Sequence, residues 1–419
     1  VVALVIVLLA FVNGMYKLNE GTGIPGNVLV LSEGATDELF SNLGYSDVSN
    51  TEKVVVTEDE KGRPIKPVPV ARGTPRPDGS RIDTLAPGAS PSTPGAVYLA
   101  SFESYLVLNQ AVPPKEGEKP RRRFLQVRAF KSALVGAAVH NIELNPGGKW
   151  FGDDGVHQES GGKYIPCVIG DAAAGTLGPD SGKLRLEAGD TFALADREWI
   201  VVGVMKSQGT TFGGEVWTSV NNTVVQSSGK GNKYTTLVLR MEENTEAAGK
   251  AMAYHLQFRY DAVKLKAYAE PDYYKELTKT NESFLSWIVF FAIVMAVGGV
   301  FGVMNTMFAS IAARIKEVGV LRILGFKRWQ LLISFMLESL AIAFLGGLVG
   351  CVLGYLANGF EASSTLQGGG GAAKSISLKM LVDYQTIAAG MLFTLVMGRL
   401  GGLVPALSAM RMEILDSLK

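Results

Sequence analysis

The sequence predicts an α-helical membrane protein with four transmembrane helices and a large extracytoplasmic α/β domain between helices 1 and 2. Residues 287–311 carry no charge and residues 331–356 carry only Glu338. Each stretch exceeds the about 20 apolar residues that a membrane-spanning helix needs. Residues 17–283 are polar, rich in strand patterns and uninterrupted by a span. With 47% hydrophobic and 19% charged residues, the chain is too apolar for an ordinary soluble protein.

The first element, residues 1–16, begins with an almost purely apolar stretch over residues 1–12, which stops at Asn13-Gly14 before Lys17. Its length is compatible with the core of a signal peptide or with a truncated span. We interpret it as transmembrane helix 1 and expect that residues before Val1 are missing. Removal of a signal peptide would instead leave three spans and place the mature amino terminus outside.

The predicted extracytoplasmic domain is longer than one ordinary domain, so we expect two subdomains. Pro, Gly, Ser and Thr concentrate in residues 62–94, which predicts a loop or extended excursion. Elsewhere the apolar periodicity indicates a mixed α/β plan. The predicted strands are residues 27–31, 53–57, 97–108, 123–130, 183–186, 191–194, 198–205, 234–240 and 264–269. The predicted helices are residues 35–43, 132–139, 166–177 and 245–258, with a further helix running on from Pro271.

Residues 312–330 form a short basic insert between two spans. Its charges are Arg314, Lys316, Arg322, Lys327 and Arg328 against the single acid Glu317, which predicts a cytoplasmic position. Its apolar residues Ile315, Val318, Val320, Leu321 and Leu324 fall near helical spacing and predict a short amphipathic helix that ends around Gly325. Such an insert is either a solvated turn or a helix that lies against another protein.

Residues 284–311 and 331–357 are therefore transmembrane helices 2 and 3. The Ser- and Gly-rich residues 358–382 predict a flexible external loop. Residues 383–408 form transmembrane helix 4, followed by a cytoplasmic tail over residues 409–419. Glycines at small-xxx-small spacing, which lets helices approach closely, are Gly298 with Gly302, Gly346 with Gly350 and Gly354, and Gly398 with Gly402.

Several motifs resemble the FtsX-like permeases of the MacB type, a family of ABC transporter permeases. They are Asn305-Thr306-Met307, Arg314-Ile-Lys-Glu317-Val-Gly319-Val-Leu321-Arg322-Ile-Leu-Gly325 and Glu338-Ser-Leu. In that family the insert is a coupling helix that docks on an ATP-binding cassette. The resemblance implies an ATPase contact through Arg314, Lys316, Glu317, Gly319, Leu321, Arg322 and Gly325. It also implies one membrane-proximal subdomain from residues 17–130 and 232–283, and a distal one from residues 131–231.

Three polar residues inside the spans, Asn305, Glu338 and Arg399, lie at a similar number of residues from the cytoplasmic helix ends. At about 1.5 Å per residue they share one depth and predict an intramembrane polar layer. Ionisable groups in a bilayer are costly and usually paired, so we expect a Glu338–Arg399 ion pair near Asn305. The alternative is that one or both side chains snorkel to the interface.

The sequence contains no residue pattern that predicts a catalytic or metal site. The segment Gly178-Pro-Asp-Ser-Gly182-Lys183-Leu184 is one residue too short for a phosphate-binding loop and lacks the hydroxyl that binds magnesium. His157 lies near Asp153, Asp154 and Glu159 on a Gly-rich stretch that is typical of a solvated loop, so no metal site is predicted. Cys167 and Cys351 cannot form a disulfide framework and are expected to be free thiols.

The resemblance thus implies a non-catalytic permease subunit in a bacterial inner membrane, which transmits ATP-driven motion to move a lipoprotein, peptide or drug. The alternative is a signalling or scaffold permease that activates an external cell-wall hydrolase. By the resemblance, the chain forms a homodimer or a heterodimer with a related permease, and ATP and magnesium bind to a partner ATPase subunit. The other expected partners are membrane lipids and an external substrate or protein. The net charge of +1 gives no reason to expect nucleic acid.

Overall fold

The structure is a computed structural model that describes residues 1–90, 92–112, 121–159, 162–207, 209–230, 233–277, 279–367 and 373–411. The chain divides into two compact units. The helical unit comprises Val1–Tyr16, Asn281–Ala362 and Lys379–Lys419. The α/β unit comprises Lys17–Thr280 and Ser363–Leu378.

The helices, in chain order, are α1 (Val2–Thr22), α2 (Tyr45–Val48), α3 (Ala133–His140), α4 (Asp171–Leu177), α5 (Thr223–Val225), α6 (Glu246–Phe258), α7 (Glu270–Leu277), α8 (Lys279–Ala313), α9 (Ile315–Ile323), α10 (Arg328–Tyr355) and α11 (Tyr384–Arg411). The strands are β1 (Asn27–Ser32), β2 (Leu43–Gly44), β3 (Val55–Glu58), β4 (Pro64–Pro69), β5 (Arg72–Pro75), β6 (Ile82–Thr84), β7 (Val97–Tyr98), β8 (Ala100–Val112), β9 (Arg121–Phe130), β10 (His157–Glu159), β11 (Gly162–Ile169), β12 (Thr191–Leu194), β13 (Arg197–Val204), β14 (Glu215–Ser219), β15 (Lys233–Tyr234), β16 (Thr236–Arg240), β17 (Leu265–Ala269), β18 (Glu361–Gln367) and β19 (Ala373–Lys379).

Three described helices of the helical unit are long and apolar enough to cross a membrane. They are Val289–Ala313 within α8, Arg328–Tyr355 and Tyr384–Arg411. The apolar part of α1, Val2–Leu18, is shorter. The structure therefore supports three of the four predicted spans by length and composition.

Helix α1 nevertheless packs within the helical unit. Ile6 is fully buried, and its side chain lies where a Cβ on Gly354 or Gly390 would collide with it. Asn13 Nδ2 donates a hydrogen bond to Thr386 Oγ1 at 2.9 Å. These contacts join α1 to both α10 and α11.

Glycines also set the approach of α10 to α11. A Cβ built on Gly398 would lie 2.3 Å from the Cβ of Ala343, and the Ser339 hydroxyl donates to the Gly398 carbonyl at 2.7 Å. Close approach through the Gly398 motif is therefore confirmed. In contrast, Gly298 and Gly302 have no other atoms within 4 Å of a built Cβ among the described residues.

The α/β unit contains a ten-stranded sheet. Nine of its strands follow the order β12-β13-β11-β14-β9-β8-β16-β1-β17, and the tenth, β10, pairs with β11. The pairs β11–β13 and β14–β9 are parallel, and the remaining pairs are antiparallel. The mixed α/β plan is confirmed. The Ala195-Asp196 turn between β12 and β13 has φ values of 52° and 56°, as a two-residue hairpin turn requires.

Two large apolar clusters cover different parts of this sheet. One is built on β11, β13 and β14 with α4, and contains the fully buried Trp199. The other is built on β1, β16 and β17 with α6, and contains the fully buried Met252. The boundary between two subdomains stays a prediction, because one sheet runs through both regions.

Three local predictions in the α/β unit are wrong. Residues 35–43 are not a helix, because the Asp37 carboxylate accepts hydrogen bonds from the amides of Leu39 and Phe40 and holds a turn. Residues 183–186 are not a strand; they turn after Gly182, and the Leu186 amide bonds to α4. The predicted helix over residues 166–177 begins as β11, whose pairing with β13 overrides the helical pattern until Gly170.

Two predicted loops contain strands. Residues 62–94 include β4, β5 and β6, which pair antiparallel with β3 and with each other. The predicted external loop over residues 358–382 contains β18 and β19, which pair as a two-stranded sheet. In both cases the pairing partner is close in sequence, so a polar stretch rich in Gly or Pro still forms hairpins.

Candidate functional site

The candidate site is built on α9, between α8 and α10. The helix ends where the Gly325 backbone takes a φ of +95°, a conformation that glycine adopts readily. The Phe326 amide then donates to the Leu321 carbonyl at 3.1 Å, and the Gly325 amide donates to the Arg322 carbonyl at 3.2 Å. This is the Schellman arrangement, and it places the helix end as the sequence predicts.

One face of α9 packs into the helical unit. Val318 and Gly319 are buried, and Leu321 packs against the same cluster. The cluster, called the α9 cluster below, comprises Met307 and Ile311 of α8, Val318 of α9, Leu331 and Phe335 of α10, and Ala406 and Ala409 of α11. The α9 cluster therefore packs α9 against three long helices, α8, α10 and α11.

The other face of α9 and the turn after it expose large apolar side chains. Leu324 is 70% exposed, and Val320, Ile323 and Phe326 are exposed as well, as is Trp329 in the first turn of α10. Lys316 and Glu317 are also exposed. Exposed large apolar side chains with adjacent charges are compatible with a protein-binding site.

The predicted ATPase-contact residues divide between these two faces. Lys316, Glu317 and Gly325 are exposed, and Arg314 is 53% exposed. Gly319 is buried, and Leu321 and Arg322 are half-buried. Leu321 contacts the α9 cluster, so its substitution would disturb internal packing as well as any docking.

The predicted Glu338–Arg399 ion pair is wrong. Glu338 Oε1 instead lies 3.3 Å from Nη1 of Arg314, at the amino end of α9. Asn305 and Arg399 are exposed, and neither has a hydrogen-bond or ion-pair partner among the described residues. The long Arg314 side chain reaches the α10 carboxylate from the carboxyl end of α8. A comparison of depths along the helices could not reveal this contact.

A second group of functional candidates, which the sequence did not indicate, is a buried ionic network in the α/β unit. Arg128 of β9 is fully buried and contacts three carboxylates. Its Nε and Nη2 donate to Glu215 at 2.8 and 2.9 Å, and its Nη1 donates to Glu103 at 2.7 Å. Nη2 also donates to Glu38 at 2.9 Å.

His140 extends this network towards α7. Its Nε2 lies 2.7 Å from Glu103 Oε1, and its Nδ1 lies 3.6 Å from Glu270 Oε1. Burial alone lowers the pKa of His140, but Glu103 and Glu270 outweigh it and raise that pKa to about 9. Burial raises the pKa of Glu103, and His140 and Arg128 outweigh it and lower that pKa to about 2. Both groups are charged at neutral pH.

The one sequence feature that bears on this network is Glu103, a charge inside the predicted strand over residues 97–108. Strand β8 carries seven consecutive buried residues from Ala100 to Leu106, so a charge at Glu103 cannot reach solvent. A charged residue inside a continuous buried strand needs a partner. The partners lie far away in sequence and could not be chosen without the fold.

The loop predicted around His157 is wrong for His157–Glu159, because these residues form β10 and pair antiparallel with β11. Their side chains lie outside the described residues. Among the described residues, no three or more His, Cys, Asp or Glu side chains cluster in a way that could hold a metal ion. Cys167 and Cys351 are both free and buried, as expected.

Comparison with known proteins identifies the family. The family model of the MacB-like periplasmic core domain matches residues 1–253, and that of the FtsX-like permease C-terminal matches residues 289–414. The chain is 28% identical over 290 residues to the macrolide export ATP-binding/permease protein MacB of Shewanella oneidensis, covering 67% of this chain and 41% of that protein. It is 27% identical over 280 residues to the ABC transporter permease MJ1507 of Methanocaldococcus jannaschii, covering 64% and 65%.

Among solved structures, the periplasmic region of MacB from Actinobacillus actinomycetemcomitans aligns with a TM-score of 0.35 and 12% identity, covering 61% of this chain and 94% of that one. The chain spans about two fifths of the length of the Shewanella relative. Since the periplasmic core model alone matches more than half of the chain, the chain belongs to the MacB-type, FtsX-like family of ABC permeases.

Proposed function

We propose that the chain is the permease subunit of an ABC-type export or mechanotransmission system. A separate nucleotide-binding subunit docks on α9, binds ATP and magnesium, and supplies the energy. The chain lies in a bacterial inner membrane with four membrane helices, α1 being the first, and both termini in the cytoplasm. It acts as a homodimer or as a heterodimer with a related permease.

The observation that carries this proposal is the two-faced packing of α9. Its inner face contacts α8, α10 and α11 through the α9 cluster, while its outer face presents Ile323, Leu324 and Phe326. A helix that is anchored on one side and apolar on the other can receive a partner and pass on its movement. The Arg314–Glu338 ion pair adds a second connection from the start of α9 to α10.

The cargo is an extracytoplasmic substrate such as a lipoprotein, a peptide or a drug. The Shewanella relative is named for macrolide export, which makes a macrolide-like drug one candidate. In this scheme the chain moves its external domain, and the cargo need not pass between its membrane helices.

The test is purification of the full chain from its host in mild detergent, with and without a Leu324→Asp substitution. Leu324 is 70% exposed and is the C-cap residue of α9. A charge there removes apolar contact area, so we expect the co-purifying cassette ATPase, identified by mass spectrometry and ATP hydrolysis, to fall by about tenfold or more.

Leu356→Asp is the matched control, because Leu356 is 74% exposed and is the C-cap residue of α10. Both substitutions place the same charge at a C-cap residue, but only Leu324 caps the proposed docking helix α9. Equal ATPase recovery from the two variants, or none from the wild type, would refute docking on α9. Recovery of a cell-wall hydrolase with the ATPase, and no transported cargo, would favour the signalling alternative.

A further inference from the structure

The ionic network connects two parts of the chain that lead to membrane helices. Glu270 is the first residue of α7, which precedes α8 in the chain. Its Oε2 accepts hydrogen bonds from Asn27 Nδ2 at 2.9 Å and from the Ile24 amide at 3.0 Å. Ile24 follows the end of α1, so Glu270 joins the exit of α1 to the start of α7.

His140 carries this connection to a short 3-10 turn, Thr211–Gly214, that precedes β14. The His140 ring centroid lies 4.7 Å from that of Phe212, and the Arg128 guanidinium lies 5.5 Å from the centroid of the same ring. Phe212 is fully buried against the two cations. The Arg128 cation over the ring attracts it and the His140 ring packs tilted against it, so the position of Phe212 depends on both residues.

A second, independent connection reaches the same turn from α1. The hydroxyl of Thr22, the last residue of α1, accepts a hydrogen bond from the Thr211 amide at 2.9 Å. The backbones approach closely beside it, because a Cβ on Gly21 would lie 2.2 Å from the Gly209 carbonyl oxygen. Thr22 is 1% exposed and Thr211 is 3% exposed, so water does not compete for this bond.

Stability alone does not explain such a network. Replacing a buried ion pair by apolar residues is often neutral or stabilising, whereas a set of directed ionic contacts fixes the relative positions of the elements that hold it. Here the contacts come from β8, β9, α3, α7 and β14. The side chains of Glu103, Arg128, His140, Glu215 and Glu270 are at most 1% exposed, so none of them can contact a substrate in this structure.

We propose that Thr211–Gly214 is the joint at which movement of α1 and α7 is delivered to the β11–β14 half of the sheet. Glu270 and His140 act on Phe212, and Thr22 acts on Thr211. This inference rests on the proposed function, because it names the residues through which membrane-helix motion reaches the external domain. Glu270, His140 and Thr22 are positioning residues in this scheme.

The test is hydrogen exchange, followed by mass spectrometry, on the full chain in detergent micelles without any ATPase. Glu270→Gln keeps the side-chain shape and removes the charge that faces His140. We expect exchange at the amides of Thr211–Gly214 to accelerate by about tenfold, since loss of one charged partner weakens a buried contact. Thr22→Val, which removes only the hydroxyl, should accelerate the same amides without changing α7.

Glu246→Gln is the matched control, because Glu246 is the first residue of α6 and its side chain is 59% exposed. It should leave Thr211–Gly214 unchanged. If Glu270→Gln changes exchange in α7 but not in the turn, the joint is refuted. If Glu270→Gln accelerates exchange throughout the chain, the result for Thr22→Val is decisive. Unchanged amide exchange at Thr211–Gly214 in Thr22→Val then refutes the joint.

A second arm separates this inference from the proposed function. The exchange of Thr211–Gly214 in the wild type, Glu270→Gln and Thr22→Val is measured with the partner ATPase, with and without ATP and magnesium. A turn that responds to Glu270→Gln and Thr22→Val but not to nucleotide would support the joint and contradict the proposed function. A turn that responds to nucleotide equally in wild type, Glu270→Gln and Thr22→Val would contradict the joint and support the function.

Discussion

Replacement of Arg128 by leucine should cause the largest loss of stability of any substitution proposed for this chain. The guanidinium is 0% exposed and lies 2.7–2.9 Å from Glu215, Glu103 and Glu38. Its removal leaves three buried carboxylates without their shared cation. Breaking one partner of a buried ion pair costs about 3–5 kcal/mol. For a domain of this size, 1 kcal/mol shifts the unfolding temperature by about 2–4 °C, so we expect a decrease of about 6–20 °C.

The assay is thermal unfolding of the full chain in detergent, followed by tryptophan fluorescence, which reports on the buried Trp199 and Trp217. Arg76→Leu is the control, because Arg76 pairs with Asp83 at 2.8 Å while both side chains are 40% or more exposed. Water screens that pair, so its loss should not shift the transition measurably. If both variants unfold at the same temperature, the buried network makes no net contribution and the reasoning is wrong.

Three further predictions concern separate sites. The His140 ring should stay protonated at pH 7.5 and titrate with a pKa of about 9, as measured by NMR of labelled histidine. Because folding raises this pKa, the contribution of His140 to the free energy of unfolding is complete below about pH 6.5. That contribution is lost as the pH rises through about 9. Charge reversal of Glu338 to Arg should lower expression, and Arg314→Glu should restore it, whereas a rescue by any residue other than Arg314 would contradict the pair. Gly398→Ala should lower the unfolding temperature because its Cβ meets Ala343 at 2.3 Å, while Gly298→Ala should not, and equal effects would exclude this packing explanation.

The carboxyl end of α9 could be predicted from the sequence, but the role of each face could not. The basic charges, the apolar spacing and Gly325 are local signals, and the Schellman turn at Gly325 agrees with them. The apolar residues Val318, Leu321 and Leu324 fall near helical spacing. This spacing does not show that Val318 and Leu321 pack inward while Leu324 is 70% exposed, because that depends on where α8, α10 and α11 lie.

The ionic network was missed for a related reason. In a half-exposed strand, alternation separates an inner from an outer face, and a charge is assigned to the outer one. Strand β8 is buried on both faces around Glu103, so alternation carries no such information there. Its partners Arg128 and His140 lie 25 and 37 residues away in sequence, and only the fold brings them together. The same limitation produced the wrong partner for Glu338, whose pairing depends on side-chain reach as well as depth.

The proposed docking surface on α9 and the positioning residue Glu270 of α7 follow each other closely in the chain, with α8 between them. Helix α8 contains 35 residues, which at about 1.5 Å each extends roughly 52 Å, well beyond the about 30 Å of a hydrocarbon core. Met307 and Ile311 near its carboxyl end belong to the α9 cluster. Helix α7, whose Glu270 begins the connection to Phe212, comes immediately before α8 in the chain, with one residue between their described ends. In the proposed function, α8 is therefore the element of the chain that links docking at α9 to Glu270.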